Sequence, residues 1–262
     1  MLKKGVTIKK IFHYTPAVVF LVILLSVWQF TVNKYGIPPW LLPSPMKVGQ
    51  ALWETKSLIW SHAQITLLEI STGFVLAIIL GILVSTLMTL FPFAKRIFYP
   101  FLIFSQTVPL IAVAPLLILW LGYGLLPKII IVILVCFFPI AVSLLEGLEV
   151  SDRDLLNLLR SMGATKWQIF YQVRWPHALP SLFAGLKIAA TYSVMAAVIG
   201  EWLGASQGLG VYLTRSSNNF LTDRVFAGII TISALSFLYY AVIMLLTKLL
   251  LPWYSQLSQK TD

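Results

Sequence analysis

Glu69, Glu146, Lys187 and Glu201 lie in or beside long apolar runs. A charge in such a setting is costly in lipid, so each is by default a candidate for function. Glu69, Glu146 and Lys187 also read as side chains that snorkel or pair at an interface. Glu201 is harder to set aside: it sits in Gly200-Glu201-Trp202-Leu203-Gly204, where the glycines let backbones come close and the acid falls beside an expected opening. Glu201 and Trp202 are therefore candidates for a translocation pathway. Other chemistry finds no support. His13, His62 and His177 have no metal-ligand spacing, and there is no H-E-x-x-H or G-x-S-x-G. The glycines of GASQGLG, Gly204, Gly208 and Gly210, do not have the spacing of a dinucleotide loop and follow no strand, so a bend is expected there. A G-x-x-x-x-G-K-[ST] phosphate loop is absent, so any nucleotide energy must come from a partner. Cys136, the single cysteine, lies in an apolar run and gives neither a disulfide framework nor a cysteine-based metal site.

The elements that position these residues follow from composition. Of 262 residues, 59% are apolar and 11% charged, against roughly a quarter charged in soluble domains. The chain is expected to be an integral membrane protein, all-α, with one domain over 1–262 and six transmembrane helices at about 16–32, 65–90, 98–121, 129–145, 182–203 and 225–251. Each approaches the roughly 20 residues that cross a 30 Å hydrocarbon layer. The first resembles a signal peptide in outline, but no small-x-small cleavage site follows it. With the N-terminus inside, Lys3, Lys4, Lys9, Lys10, Lys95, Arg96, Arg153, Arg160, Lys166, Arg174, Lys248 and Lys260 are cytoplasmic. Only Lys34, Lys47, Lys56, Lys128, Arg215 and Arg224 lie outside, so the positive-inside rule places both termini in the cytoplasm. Between the first two spans, Ser44-Pro45 opens either an interfacial helix with Val48, Leu52 and Trp53 on one face or a plain connector bearing an aromatic belt. Pro109 and Pro115 bend the third span, which then lines a pathway or merely packs around its kink.

The polar run Ser151–Pro180 stands between two of these spans on the cytoplasmic side. Ser151 and Asp154 form a helix-start signature, followed by the stripe Leu155, Leu158, Leu159 and Met162; Gly163 ends that helix. Thr165 and Gln168 form a second capping box. It opens a short helix with Trp167, Phe170, Tyr171 and Arg174 on one face, stopped at Pro176. Two short helices joined at a glycine suit the docking of another protein.

The stretch Gly163–Pro176 resembles the cytoplasmic EAA loop of binding-protein-dependent ABC importer permeases, in which a glycine is followed after nine residues by an aliphatic residue and then by proline. Where that family often carries Glu-Ala-Ala, this chain has Asn157, Leu158 and Leu159. Three further stretches, WLLPSP at 40–45, VPLIAVAPLLILWLGYG at 108–124 and GEWLGASQGLG at 200–210, are similar to the subgroup serving nitrate, sulfonate, taurine and thiamine-precursor uptake. The resemblance implies a non-catalytic permease subunit in a prokaryotic cell membrane, without a cofactor of its own. ATP would be bound by two cytoplasmic ATPase subunits. An extracytoplasmic binding protein would deliver solute, and a second permease, most simply an identical one, would complete the pathway. ATPase coupling would fall to Gly163, Ala164, Thr165, Trp167, Phe170, Val173 and Pro176. The solute is expected to be the pyrimidine precursor of thiamine, the alternative being a sulfonate, taurine or nitrate. A secondary transporter or channel would need a paired repeat or an intramembrane acid-base relay, and neither is visible.

Overall fold

A computed structural model describes residues 4–150 and 153–253, with side chains described over 15–150 and 154–253. Ser151, Lys3 and Lys260, which entered the readings of helix start and orientation, lie outside these residues. Every regular element described is helical: α1 (Lys4–Tyr35), α2 (Pro45–Glu54), α3 (Lys56–Leu90), α4 (Pro92–Thr107), α5 (Leu110–Leu121), α6 (Leu125–Glu149), α7 (Arg153–Ser161), α8 (Lys166–Ile169), a π-turn (Phe170–Arg174), α9 (Trp175–Gly204), α10 (Leu209–Asn218) and α11 (Thr222–Leu250). Among the described residues, five helical segments are long and apolar enough to cross a membrane, and the bent pair α4 and α5 makes a sixth. In lipid only such internally hydrogen-bonded segments satisfy their backbone groups. Large side chains such as Phe20 and Phe237 are 67% and 71% exposed, an apolar surface that suits lipid contact. The chain is a multi-pass membrane protein.

Several bounds differ from the sequence expectation. Helices α1, α3, α6 and α11 begin before the apolar runs 16–32, 65–90, 129–145 and 225–251, because flanking residues continue a helix whose hydrogen bonds are already nucleated. The third span is not one kinked helix over 98–121. It breaks between Thr107 and Leu110, and its halves are bent by 102°. Pro109 disfavours the helical region for Val108 and supplies no N–H, so Val108 is extended and Pro109 becomes the N-cap of α5. Pro176 does not stop the short helix either. It follows directly on the π-turn Phe170–Arg174, whose wider hydrogen-bond pattern lets the helix pass the proline, and Lys166–Gly204 runs on as one helical segment of 39 residues.

The described residues pack as two units, 4–59 with 212–230, and 60–150 and 153–211 with 231–253. In the first, Ser44 caps α2 and Pro45 sits in its first turn. Val48 and Ala51 are buried, whereas Trp53 is 72% exposed and does not share their face. The Met46 N–H donates to Gln29 Oε1 at 3.2 Å, tying α2 to α1. Thr55 Oγ1 and the Tyr212 hydroxyl are hydrogen-bonded at 2.9 Å.

The second unit is built on α6 and α9, which meet where Gly147 faces Ala178 and Ser181 and where Cys136 Sγ lies 3.4 Å from the Ala189 carbonyl oxygen. Small residues let the backbones approach, the usual solution where lipid offers no hydrophobic drive. A Cβ on Gly185 would lie 2.5 Å from the Pro139 carbonyl oxygen and 2.8 Å from Ser143 Cβ. Gly185→Ala should therefore force the helices apart and destabilise the unit by about 1–3 kcal/mol. A lowered thermal midpoint in detergent would show this, whereas the same exchange at Gly49, with nothing within 4 Å of its Cβ position, should be harmless.

Candidate functional site

At one end of the long segment, the turn between α7 and α8 is specified residue by residue. Gly163 has φ +84°, a left-handed conformation that favours glycine. Its N–H donates to the Arg160 carbonyl at 3.0 Å, and the Ala164 N–H to the Leu159 carbonyl at 3.0 Å, closing α7 in a Schellman motif. The expected capping box opens α8. The Gln168 N–H donates to Thr165 Oγ1 at 3.3 Å, and the Thr165 N–H to Gln168 Oε1 at 2.8 Å.

The π-turn then divides the aromatic set that the sequence placed on one face. Trp167 and Tyr171 are exposed and stacked, with ring centroids 6.0 Å apart at 21°. Phe170 is only 3% exposed and packs on both of these rings and on Trp175. The wider turn changes the helical phase, so residues expected side by side separate into a buried anchor and an exposed pair. Of the other residues named for ATPase coupling, Thr165 is exposed, and Ala164, Val173 and Pro176 are half-buried.

At the opposite end of the long segment lies a buried polar cluster. Glu69 is fully buried and accepts from Lys128 Nζ at 2.6 Å. Glu201, 1% exposed, accepts from Thr66 Oγ1 at 2.6 Å through Oε1 and from the Gly210 N–H at 2.6 Å through Oε2. The Leu209 N–H donates to Thr66 Oγ1 and the Gly208 N–H to His62 Nδ1, both at 2.9 Å. Glu69 and Glu201 are buried near one another, and Lys128 pairs with Glu69 through Oε1, while Glu69 Oε2 has no hydrogen-bond partner among the described residues. Beside the cluster is a cavity of about 450 Å3 lined by Tyr123, Gly124, Lys128, Gly204, Ala205 and Ser206.

The candidates for a pathway are thus not brought onto one surface. Pro109, Pro115 and Trp202 are exposed, while Glu201 is buried and engaged by α3 and by the first turn of α10. Nor is Lys128 a loop cation: it lies in the first turn of α6, 5% exposed, and neutralises Glu69. His62, Thr66 and Glu69 could have been found together, since spacings of four and three put them on one helical face within an apolar run.

Residues 73–253 match the family described as the binding-protein-dependent transport system inner membrane component, and the chain belongs to it. It is 40% identical over 246 residues to the formylaminopyrimidine transport permease protein ThiX of Halalkalibacterium halodurans, covering 94% of this chain and 98% of that protein. Identity is 33% to the riboflavin transport system permease protein RibX of Chloroflexus aurantiacus, over 90% of this chain and 88% of that one. It is 31% to the taurine transport system permease protein TauC of Escherichia coli, with the same two coverages. The fold is that of a crystallised amino acid ABC transporter chain, with a TM-score of 0.61 at 17% identity, over 77% of this chain and 96% of that one. The chain is accordingly a transport permease of the ABC class.

Proposed function

We propose that the protein is the permease subunit of an ATP-driven importer for formylaminopyrimidine or a closely similar pyrimidine precursor of thiamine. The observation that carries this reading is the 40% identity to the formylaminopyrimidine permease along nearly the full length of both chains. In this reading Lys166–Arg174 faces the cytoplasm and docks on an ATPase subunit, with Trp167 and Tyr171 as the contact. Both termini are cytoplasmic by the distribution of Lys and Arg. A second copy of the chain completes the pathway, an extracytoplasmic binding protein delivers the solute, and ATP is bound only by the ATPase. An alternative solute is taurine or an alkanesulfonate, favoured by the 31% identity to the taurine permease.

The test is co-purification of the permease with its ATPase and binding protein, followed by uptake into proteoliposomes of formylaminopyrimidine, riboflavin, taurine, an alkanesulfonate and nitrate. ATP-dependent uptake of the pyrimidine is expected. Uptake of a sulfonate alone would overturn the solute, and uptake with no ATPase present would overturn the class.

A further inference from the structure

The amides at the start of α10 are met by side chains from α3 and α9. Gly208 precedes the first helical residue, has φ +130° and carries no side chain that could accept from the orphan amides behind it. Those amides are nonetheless buried and satisfied, by His62 and Thr66 of α3 and Glu201 of α9. The fit leaves no slack. A Cβ on Gly208 would overlap the Glu201 carboxylate, and one on Gly210 would lie 2.6 Å from the Val198 carbonyl oxygen. A carboxylate is also the favourable charge at a helix N-terminus.

A serine at the cap position would do this job locally and at lower cost. Instead the chain buries a second acid beside Glu69 and Lys128, an arrangement whose desolvation is expensive. Glu201 sits three residues from the end of the 39-residue segment whose other end is Lys166–Arg174. At about 1.5 Å per residue, that continuous helical segment extends for up to roughly 60 Å.

We propose that Glu201, Thr66 and His62 are positioning residues for transport: they clamp the first turn of α10 to the end of α9 remote from the docking segment, so that displacement of Lys166–Arg174 is delivered to Gly208–Gly210. The coupling half of this inference rests on the transport reading above, while the clamp itself does not.

Two measurements test it. In the permease assembled with its ATPase and binding protein in proteoliposomes, uptake and ATP hydrolysis are followed together. Thr66→Val removes the hydroxyl that joins Leu209 to Glu201 and should lower solute moved per ATP hydrolysed by about tenfold, whereas Thr66→Ser should restore the ratio. A fall of uptake and hydrolysis in parallel, with the ratio unchanged, is what a purely structural role gives and would overturn the coupling. Hydrogen exchange on the purified permease reads the clamp without transport. Peptides covering 208–210 should exchange about tenfold faster in Glu201→Gln, which cannot accept at both side-chain positions. Unchanged exchange there would overturn the clamp. If Glu201→Gln fails to fold, exchange in the Thr66→Val and Thr66→Ser pair makes the same decision. If the wild type does not assemble with an ATPase, the transport reading fails while the exchange result still stands or falls on its own.

Discussion

Lys128→Met should destabilise the protein more than substitution of any exposed residue. The ammonium is the sole cation hydrogen-bonded to Glu69 among the described residues, and Glu69 is wholly buried with Glu201 beside it. Removing one partner of such a pair leaves an uncompensated buried charge, at a cost of about 3–5 kcal/mol. Replacing both partners, as in Glu69→Leu with Lys128→Met, removes the charge as well as its counter-ion and should recover most of that loss. Thermal melting of the purified permease in detergent checks both variants. A double variant no more stable than the single one would show that the cost lies in lost packing and not in the orphaned carboxylate.

Trp167→Asp should have the opposite profile, with little loss of stability and a large loss of partner binding. Its ring is 55% exposed and stacked on Tyr171, so truncation leaves no cavity in the fold. A central aromatic anchor is worth about 2 kcal/mol or more in an interface, so affinity for the ATPase should fall by about 30-fold or more. Phe170→Ala, three residues on, should behave differently. The ring is 3% exposed and packed among three aromatic neighbours, and its loss should cost about 3–5 kcal/mol of stability. Pull-down of the ATPase together with melting separates the two. Intact binding by Trp167→Asp would remove the docking assignment.

The parts of this architecture that were legible in the sequence are those set by local chemistry. Apolar runs announced the spans, and the Thr165–Gln168 box and Gly163 announced the turn between α7 and α8, each through residues within a few positions of one another. What was not legible depends on distant partners. Nothing in the neighbourhood of Lys128 distinguishes a loop lysine from one that reaches Glu69, 59 positions earlier. The clamp on Gly208–Gly210 likewise draws on residues 9 to 146 positions away. Pro109 and Pro176 show a third limit. Each proline removes the same N–H, yet Pro109 follows an extended Val108 where a span breaks, while Pro176 follows a π-turn through which the helix continues.

The π-turn over Phe170–Arg174 has a consequence for orientation. Each residue of an α-helix advances the chain by about 100°, so one residue accommodated in a wider loop of hydrogen bonds turns everything on its N-terminal side by about that angle relative to α9. The compass bearing of the Trp167–Tyr171 stack about the helix axis is therefore set by backbone pitch, not by either ring. Deleting Gln172 or Val173 would keep every aromatic side chain and swing the stack about a quarter-turn away from whatever it now faces.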